Sequence, residues 1–519
     1  MTMQRKFQGW ALYRMPLYEE LKGRSTMNFK LLIDGVLTDG AATFEVINPA
    51  TGKPFANSPR ADRALAERAI AAAKRAFPDW AALDNTARST KVNAFADAVE
   101  VRFDDFTELL TREVGKPIRQ AEGEVRAVIG ALRFFASQDV KPKVIRENDD
   151  ELIVEQRYAQ GVVAAITPWN FPLALLIYKV GAALMAGNAV IAKPAPTTPL
   201  TTLLLGEVAA SIFPAGVIQT LVDQNDLGPL LTSHPEIAHV SFTGSTPTGK
   251  KVLGSAADSL KRFTLELGGN DAAIVLDDVN VREMAPAIFG AAFINAGQVC
   301  FATKRVYAPR HMVDELADEL GRLANEAKVG DGLDPSTTIG PIQNRTQYEK
   351  VLGFIDSARE DNGTIVAGGA AIEGGGYFIR PTIVKGLAHD ARLVREEQFG
   401  PVLPILPYDT VEDAIQQANS TDYGLGGIIW TSNVARGIEV ASRIETGTIW
   451  VNQHMSLPFD VSFGGAKQSG IGVQNGIEGI EDFTLDSVKQ HGRFTDNHLG
   501  RSTGMIVGRY PVMVVAPCC

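Results

Sequence analysis

The chain has 519 residues, 45% hydrophobic and 21% charged, an ordinary globular composition with room for about two to four domains. A formal charge of −10 argues against a nucleic-acid partner. Two of the three cysteines are the terminal neighbours Cys518 and Cys519, which excludes a disulfide framework and fits a reducing, cytoplasmic compartment.

Residues 1–26 lack a continuous apolar core and end before a second methionine, Met27, so they read as an N-terminal extension rather than a secretory signal. From Asp62 to about Leu110, alanine, leucine and charged residues recur at helix spacing. KPKVIRENDDELIVEQRYA, residues 141–159, has strand-like halves around Asn148-Asp149-Asp150 and reads as a projecting hairpin. The longest apolar region, residues 161–192, contains Pro168, Asn170, Pro172 and Lys179. Its first part is β-branched and its second Leu/Ala-rich, so it reads as strand, turn, helix and strand rather than a membrane span. TPLTTLLLGEVAASI then reads as a helix, and GVIQTLV and IAHVSFT as strands. Strands alternating with helices predict an α/β chain with a parallel, doubly wound sheet that binds ligands at the carboxyl ends of its strands. A second α/β series follows, with helices in HMVDELADELGRLANEAKVG and RTQYEKVLGFIDSARE and strands in GGIIWTS and GTIWVN. The tail ends RYPVMVVAPCC, without the four-residue prenylation pattern.

Four stretches carry chemistry-bearing residues, each open to two readings. In TPWNFP, residues 167–172, two prolines force an irregular turn, and Asn170 is either a turn residue or is presented to a site. In VSFTGSTPTGK, residues 240–250, Gly244-Ser245 is either a plain helix cap or a phosphate cradle. TLELGGND, residues 264–271, places Glu266 in an apolar strand, where it is either an ion-pair partner or a general base whose pKa burial raises. NAGQVCFATKR, residues 295–305, holds the single interior cysteine, Cys300, as a small buried hydrophobe or a nucleophile. EEQFGPVLP, 396–404, and FGGAKQSGIG, 463–472, are turn-rich and equally readable as loops. Scattered histidines give no metal-ligand spacing, and no GxSxG elbow occurs.

In order, TPWNFP, KPAPTTP, FTGSTPTG, LELGGN, GQVC, EEQFGPV, GTIWVN and FGGAKQSGIG resemble the NAD(P)-dependent aldehyde dehydrogenase superfamily, from about Met27 to about Gln490. The resemblance implies a Rossmann-type cofactor domain, 27–140 with 160–264, and an α/β catalytic domain, 265–479. It also implies a small β-flap oligomerisation module, 141–159 with 480–497, leaving a C-terminal tail at 498–519. It implies that Cys300 attacks the aldehyde, that Asn170 and the Cys300 N–H stabilise the oxyanion, and that Glu266 activates the hydrolytic water. Lys179 matches a proton-relay lysine. The cofactor, NAD⁺ with NADP⁺ allowed, is assigned Ile166, Thr167, Pro168, Trp169, Lys193, Gly244, Ser245, Gln347, Lys350, Glu397 and Phe399. Pro196 stands where NAD-preferring members often carry a glutamate that repels a 2′-phosphate.

Tyr178 stands where semialdehyde-oxidising relatives often place an arginine. With Phe171, Leu175, Ile294, Phe301, Leu457 and Phe463 it implies an apolar funnel for an aromatic or medium-chain aliphatic aldehyde. The alternatives are a semialdehyde substrate or CoA-acylating chemistry, and Glu266 speaks against the second. Gln453 and His454 are polar exceptions without an assigned partner. The partners expected are a small aldehyde and further copies of the chain in a homodimer or homotetramer, with neither nucleic acid nor membrane.

Overall fold

The computed structural model describes residues 27–255 and 259–492. The extension at 1–26 and the tail at 498–519 lie outside the described residues, as does the end of the expected flap beyond Gly492. Of the described residues, those within Met1–Val140 and Ala159–Leu485 form one compact unit, and those within Lys141–Tyr158 and Asp486–Cys519 a second.

The first unit is built on two sheets. A six-stranded sheet runs in the order Gly470–Ile471, Arg262–Glu266, Ile237–Thr243, Val162–Ile166, Ala189–Lys193 and Ile218–Thr220. All its pairings are parallel except that of the edge strand Gly470–Ile471. VVAAI and AVIAK are continuous buried runs, the pattern of strands covered on both faces. In chain order the first strand, Val162–Ile166, lies between the second and the fourth, Ala189–Lys193 and Ile237–Thr243. The connections beyond its carboxyl end therefore diverge to opposite sides, opening the crevice where such sheets bind ligands.

The second sheet has seven strands in the order Thr364–Ala367, Thr382–Lys385, Val402–Tyr408, Arg305–Pro309, Ala272–Val275, Gly426–Trp430 and Thr448–Val451. It is parallel except at Thr364–Ala367. Each sheet sits in its own core cluster. The expected division at residue 265 falls inside the strand Arg262–Glu266, so Glu266 ends a strand of the first sheet.

Between the sheets' strands, helices form where apolar periodicity and caps coincide. Asp62 caps Arg63–Ala81, Asp84 caps Asn85–Val101, and Asn344 caps Arg345–Glu360, each through a side-chain oxygen on a first-turn N–H. Pro172 opens the helix Pro172–Met185, which is buried on nearly every side. Two N-terminal hairpins, Leu31–Ile33 with Val36–Thr38 and Ala42–Asn48 with Lys53–Arg60, precede the helices.

Most of the second unit's described residues lie in three strands: Lys143–Glu147 pairs antiparallel with Glu151–Ala159 around Asn148-Asp149-Asp150, and Thr484–Gly492 joins them. No helix among the described residues is long and apolar enough to cross a membrane.

Candidate active site

The strand register places four site residues on one rim. Ile166 pairs with Lys193, and Thr243 with Glu266, at the carboxyl ends of neighbouring strands. Thr167 continues the ladder by donating its N–H to Lys193 O at 3.0 Å. Pro168 and Trp169 then turn the chain, and Asn170 is buried beneath them.

Asn170 is clamped from distant segments. Its Nδ2 donates to Gln298 O at 2.9 Å, which leaves the second amide proton without a partner among the described residues. Its backbone carbonyl accepts from Lys116 Nζ at 3.0 Å and from Asn295 Nδ2 at 3.1 Å. Lys116 is ion-paired with Glu124, both side chains fully out of solvent. Glu124 Oε1 also accepts from Leu173 N and Ala174 N at 3.2 and 3.0 Å, capping the helix that follows Asn170. Neither Lys116 nor Glu124 is signalled by a site motif.

Cys300 arrives by a strained path. After the helix Val281–Phe293, Asn295, Ala296 and Gly297 take φ of 50°, 54° and 73°, a left-handed turn that costs the two non-glycine residues about 1–3 kcal/mol each. Gly297 is required there, since a Cβ would lie 2.4 Å from Gly400 O. Gln298 Nε2 donates to Asn295 O at 2.8 Å and its Oε1 accepts from Gln343 N at 2.9 Å, bracing the turn. Cys300 is half-buried, at the end of this turn and two residues from the carbonyl that holds Asn170. Burial pushes its thiol up to about 12, Lys304 pulls it down, and Glu266, Glu397 and Asp271 push it further up.

His454, left without a partner by the sequence, braces the far side of the same segment. Its Nε2 lies 3.0 Å from Phe301 O, so Nε2 carries the proton, and Nδ1 accepts from Thr303 Oγ1 at 3.1 Å. Burial pushes its pKa down to about 4, which keeps this neutral tautomer.

Glu266 and Lys179 form a second buried group. Glu266 Oε1 and Lys179 Nζ have no hydrogen-bond partner among the described residues. Burial raises Glu266 to about 8, against the pull of Lys179. Burial lowers Lys179 to about 7, against Glu266 and Asp482. Asp482, absent from the sequence-derived set, accepts from Thr264 Oγ1.

The remaining rim residues suit a dinucleotide. Lys193 is buried and ion-paired with Asp223 at 2.6 Å, a partner the motifs do not reveal. Half-buried Gly244 and exposed Ser245 precede the helix Thr246–Gly254, whose first turn receives no side-chain cap. Trp169 meets Phe399 edge-on at 5.4 Å, and Phe399 holds φ of 49°, an outlier for a bulky residue. Glu397 Oε1 accepts from Gly269 N at 3.0 Å, and a Cβ at Gly268 would meet Glu397 Oε2 at 2.6 Å, so this backbone is cleared for the carboxylate. Gln347 Nε2 donates to Gln398 O and Phe399 O, each at 2.9 Å, and Lys350 Nζ donates to Glu397 O at 3.1 Å. In this structure these two side chains hold the Glu397–Phe399 loop.

Of the expected pocket residues, Phe463 is buried and Phe171, Leu175, Tyr178, Ile294, Phe301 and Leu457 are half-buried. Phe301 meets Phe463 edge-on at 5.4 Å and lies 6.2 Å from Trp450. Lys116 Nζ sits 3.7 Å over the Phe171 ring, so the cation that holds Asn170 also orients this wall. Burial pushes the Tyr178 hydroxyl up to about 12, which keeps it neutral.

The aldehyde dehydrogenase family profile matches residues 36–488. A betaine aldehyde dehydrogenase of Rhizobium etli is 36% identical over 456 residues, covering 86% of this chain and 93% of that protein. A 2-hydroxymuconic semialdehyde dehydrogenase of a Pseudomonas species is 36% identical over 474 residues, covering 88% and 97%. The NAD⁺ complex of an aldehyde dehydrogenase from Bacillus cereus superposes with a TM-score of 0.88 at 32% identity, covering 92% of this chain and 99% of that one. This chain therefore belongs to the aldehyde dehydrogenase family and is an oxidoreductase acting on aldehydes.

Proposed function

We propose that the protein oxidises an aldehyde to the carboxylic acid through a thioester on Cys300. The observation that carries this reading is the left-handed turn at Asn295–Gly297, which sets Cys300 two residues beyond the carbonyl that accepts from Asn170 Nδ2. The Cys300 thiol gives its proton to solvent, the resulting thiolate attacks the aldehyde carbon, the C–S bond forms, and the carbonyl electrons move to oxygen. Asn170 Nδ2 and the Cys300 N–H receive that oxyanion, a donor of this kind being worth about 3–4 kcal/mol. NAD⁺, held by the Lys193, Ser245 and Glu397 rim, supplies the two-electron acceptor when bound. Water then attacks the thioester carbon, the C–S bond breaks, and Glu266 takes the water proton. Glu266 is suited to this task because burial holds its pKa near the working range, at about 8.

The aromatic wall of Phe171, Phe301 and Phe463, with a neutral Tyr178 in place of a guanidinium, supports an apolar aromatic or medium-chain substrate. Initial rates of NAD⁺ and NADP⁺ reduction with hexanal, decanal, benzaldehyde, betaine aldehyde and succinic semialdehyde test this, beside Cys300→Ala. The expected result is turnover of the apolar aldehydes with NAD⁺, lost in the variant. Preferred turnover of succinic semialdehyde would refute the substrate class, and activity surviving in Cys300→Ala would refute the nucleophile.

A further inference from the structure

Lys304 follows Cys300 by four residues and immediately precedes the strand Arg305–Pro309. Its side chain is 1% exposed, and its Nζ donates to Val299 O at 2.5 Å and to Cys300 O at 3.0 Å. The same nitrogen lies 3.9 Å from Glu397 Oε1 and 5.6 Å from the centre of the Phe399 ring. The backbone of Lys304 is fixed at both ends, its N–H on Asp271 O at 2.9 Å and its carbonyl on Gln398 Nε2 at 3.0 Å.

The Val299 carbonyl and the Cys300 N–H belong to one planar peptide unit. A charged donor on that carbonyl draws electron density from the amide nitrogen, so the N–H becomes a stronger donor, and it fixes the plane in which the N–H points. Among the described residues, the titratable groups acting on the thiol are Lys304, which favours the thiolate, and Glu266, Glu397 and Asp271, which oppose it. His454, on the other side of the segment, stays neutral at neutral pH because burial pushes it down to about 4.

We propose that Lys304 is a positioning residue that strengthens the Cys300 N–H as an oxyanion donor and favours the thiolate at Cys300 Sγ. This rests on the reading of Cys300 as nucleophile. A lysine that merely braced the turn would matter through its hydrogen bonds, whereas this role requires its charge.

The test is carbamidomethylation of the full-length enzyme by iodoacetamide at pH 8 without cofactor or aldehyde, followed at the Cys300 peptide by mass spectrometry. Cys518 and Cys519 serve as reference thiols. Lys304→Met removes charge and donors, Lys304→Gln removes charge and keeps a donor, and Lys304→Arg keeps both. In the Met and Gln variants Cys300 should react about tenfold more slowly or worse, the effect of one pKa unit on the thiolate fraction. In the same two variants kcat for aldehyde oxidation should fall by a similar factor with KM for the aldehyde within about threefold, and the Arg variant should stay near wild type. If Lys304→Met does not fold, the Gln and Arg variants decide. A Gln variant that melts near wild type and labels Cys300 at the wild-type rate would overturn the proposal. Aldehyde oxidation persisting in Cys300→Ala would instead overturn the nucleophile reading, whatever Lys304 does to the labelling rate.

Discussion

Lys116 and Glu124 are joined directly, and Lys116 also donates to the Asn170 carbonyl while Glu124 accepts from two N–H groups at a helix start. Lys179 and Glu266 are buried in the same unit, but Lys179 Nζ and Glu266 Oε1 have no hydrogen-bond partner among the described residues. Each of these two is driven towards its neutral form by burial, to about 7 and about 8. Identical residue types thus serve opposite ends. The satisfied pair braces Asn170, and the unsatisfied one keeps a carboxyl and an ammonium titrating close to neutral pH, which suits the proton transfer proposed for Glu266.

Glu266→Gln should separate the two most sharply. Loss of a general base is worth about 10²–10⁴-fold in the step it serves, so steady-state turnover should fall by that factor. A burst of NADH equal to one per site should remain, because in the proposed mechanism acylation of Cys300 does not need the base. A steady state at the wild-type rate would remove Glu266 from the hydrolytic step. Melting should change little, since no hydrogen bond to Glu266 Oε1 is lost.

Glu124→Gln should behave in the reverse way. Breaking a buried pair leaves Lys116 uncompensated, and such changes cost about 3–5 kcal/mol of unfolding free energy, measurable by urea denaturation. Lys116→Met combined with Glu124→Leu should recover part of that loss. If the single variant unfolds at the wild-type midpoint, the pair is not what holds this region.

Lys179→Met gives a smaller, directional effect. In its proposed role Glu266 acts as base only when deprotonated, so hydrolysis should rise with pH through a midpoint near 8 and level off about a unit above it in the wild type. Lys179 lowers the Glu266 pKa and Asp482 raises it. Removing the lysine therefore moves the midpoint upward, and the rate at pH 7 should fall by less than about tenfold, the worth of one pKa unit. A pH–rate profile that stays in place would show that the ammonium does not act on Glu266.

The legible parts of the molecule were those written locally. VVAAI and AVIAK are short apolar runs between breakers, and their strands lie where composition placed them. The hairpin at 141–159 is marked by Asn148-Asp149-Asp150. The hairpin Leu31–Ile33 with Val36–Thr38 carried a comparable signal in Asp34-Gly35, whose φ of 56° and 74° suit a tight turn, but its strands are only three residues long. Cys300, Asn170 and Glu266 stood out by motif. Lys116, Asp223 and Lys304 did not, because their function lies in contacts made across the fold. Lys116 reaches a carbonyl 54 residues away, and a lysine between Gly115 and Pro117 reads as a loop until that carbonyl is known. The role of Lys304 depends on the backward turn of its own segment, which helix or strand periodicity does not encode.

A third buried lysine combines features of both arrangements. Lys193 is paired directly, with Asp223 at 2.6 Å, as Lys116 is with Glu124, yet it lies on the same carboxyl-end rim of the sheet as Glu266, with two strands between them, and next to Ile166. Asp223 Oδ2 also accepts from Leu227 N at 2.8 Å, so the carboxylate is fixed from both sides. Pro196 supplies no carboxylate against a 2′-phosphate, but Asp223 holds one against Lys193, which the resemblance assigns to the cofactor. The pair balances the Lys193 charge, and in the proposed cofactor site its carboxylate would oppose an incoming 2′-phosphate. Asp223→Asn should therefore tighten NADP⁺ binding at least about fivefold, or ~1 kcal/mol, the lower end for removing one opposing charge. NAD⁺ affinity should move less, and calorimetric titration of the enzyme without aldehyde reads both constants. A changed NADP⁺ to NAD⁺ ratio with modest loss of stability would place this pair with Glu266, as a charge arranged for a ligand. An unchanged ratio with a loss of unfolding free energy like that of Glu124→Gln would place it with Lys116, as a charge arranged for the fold.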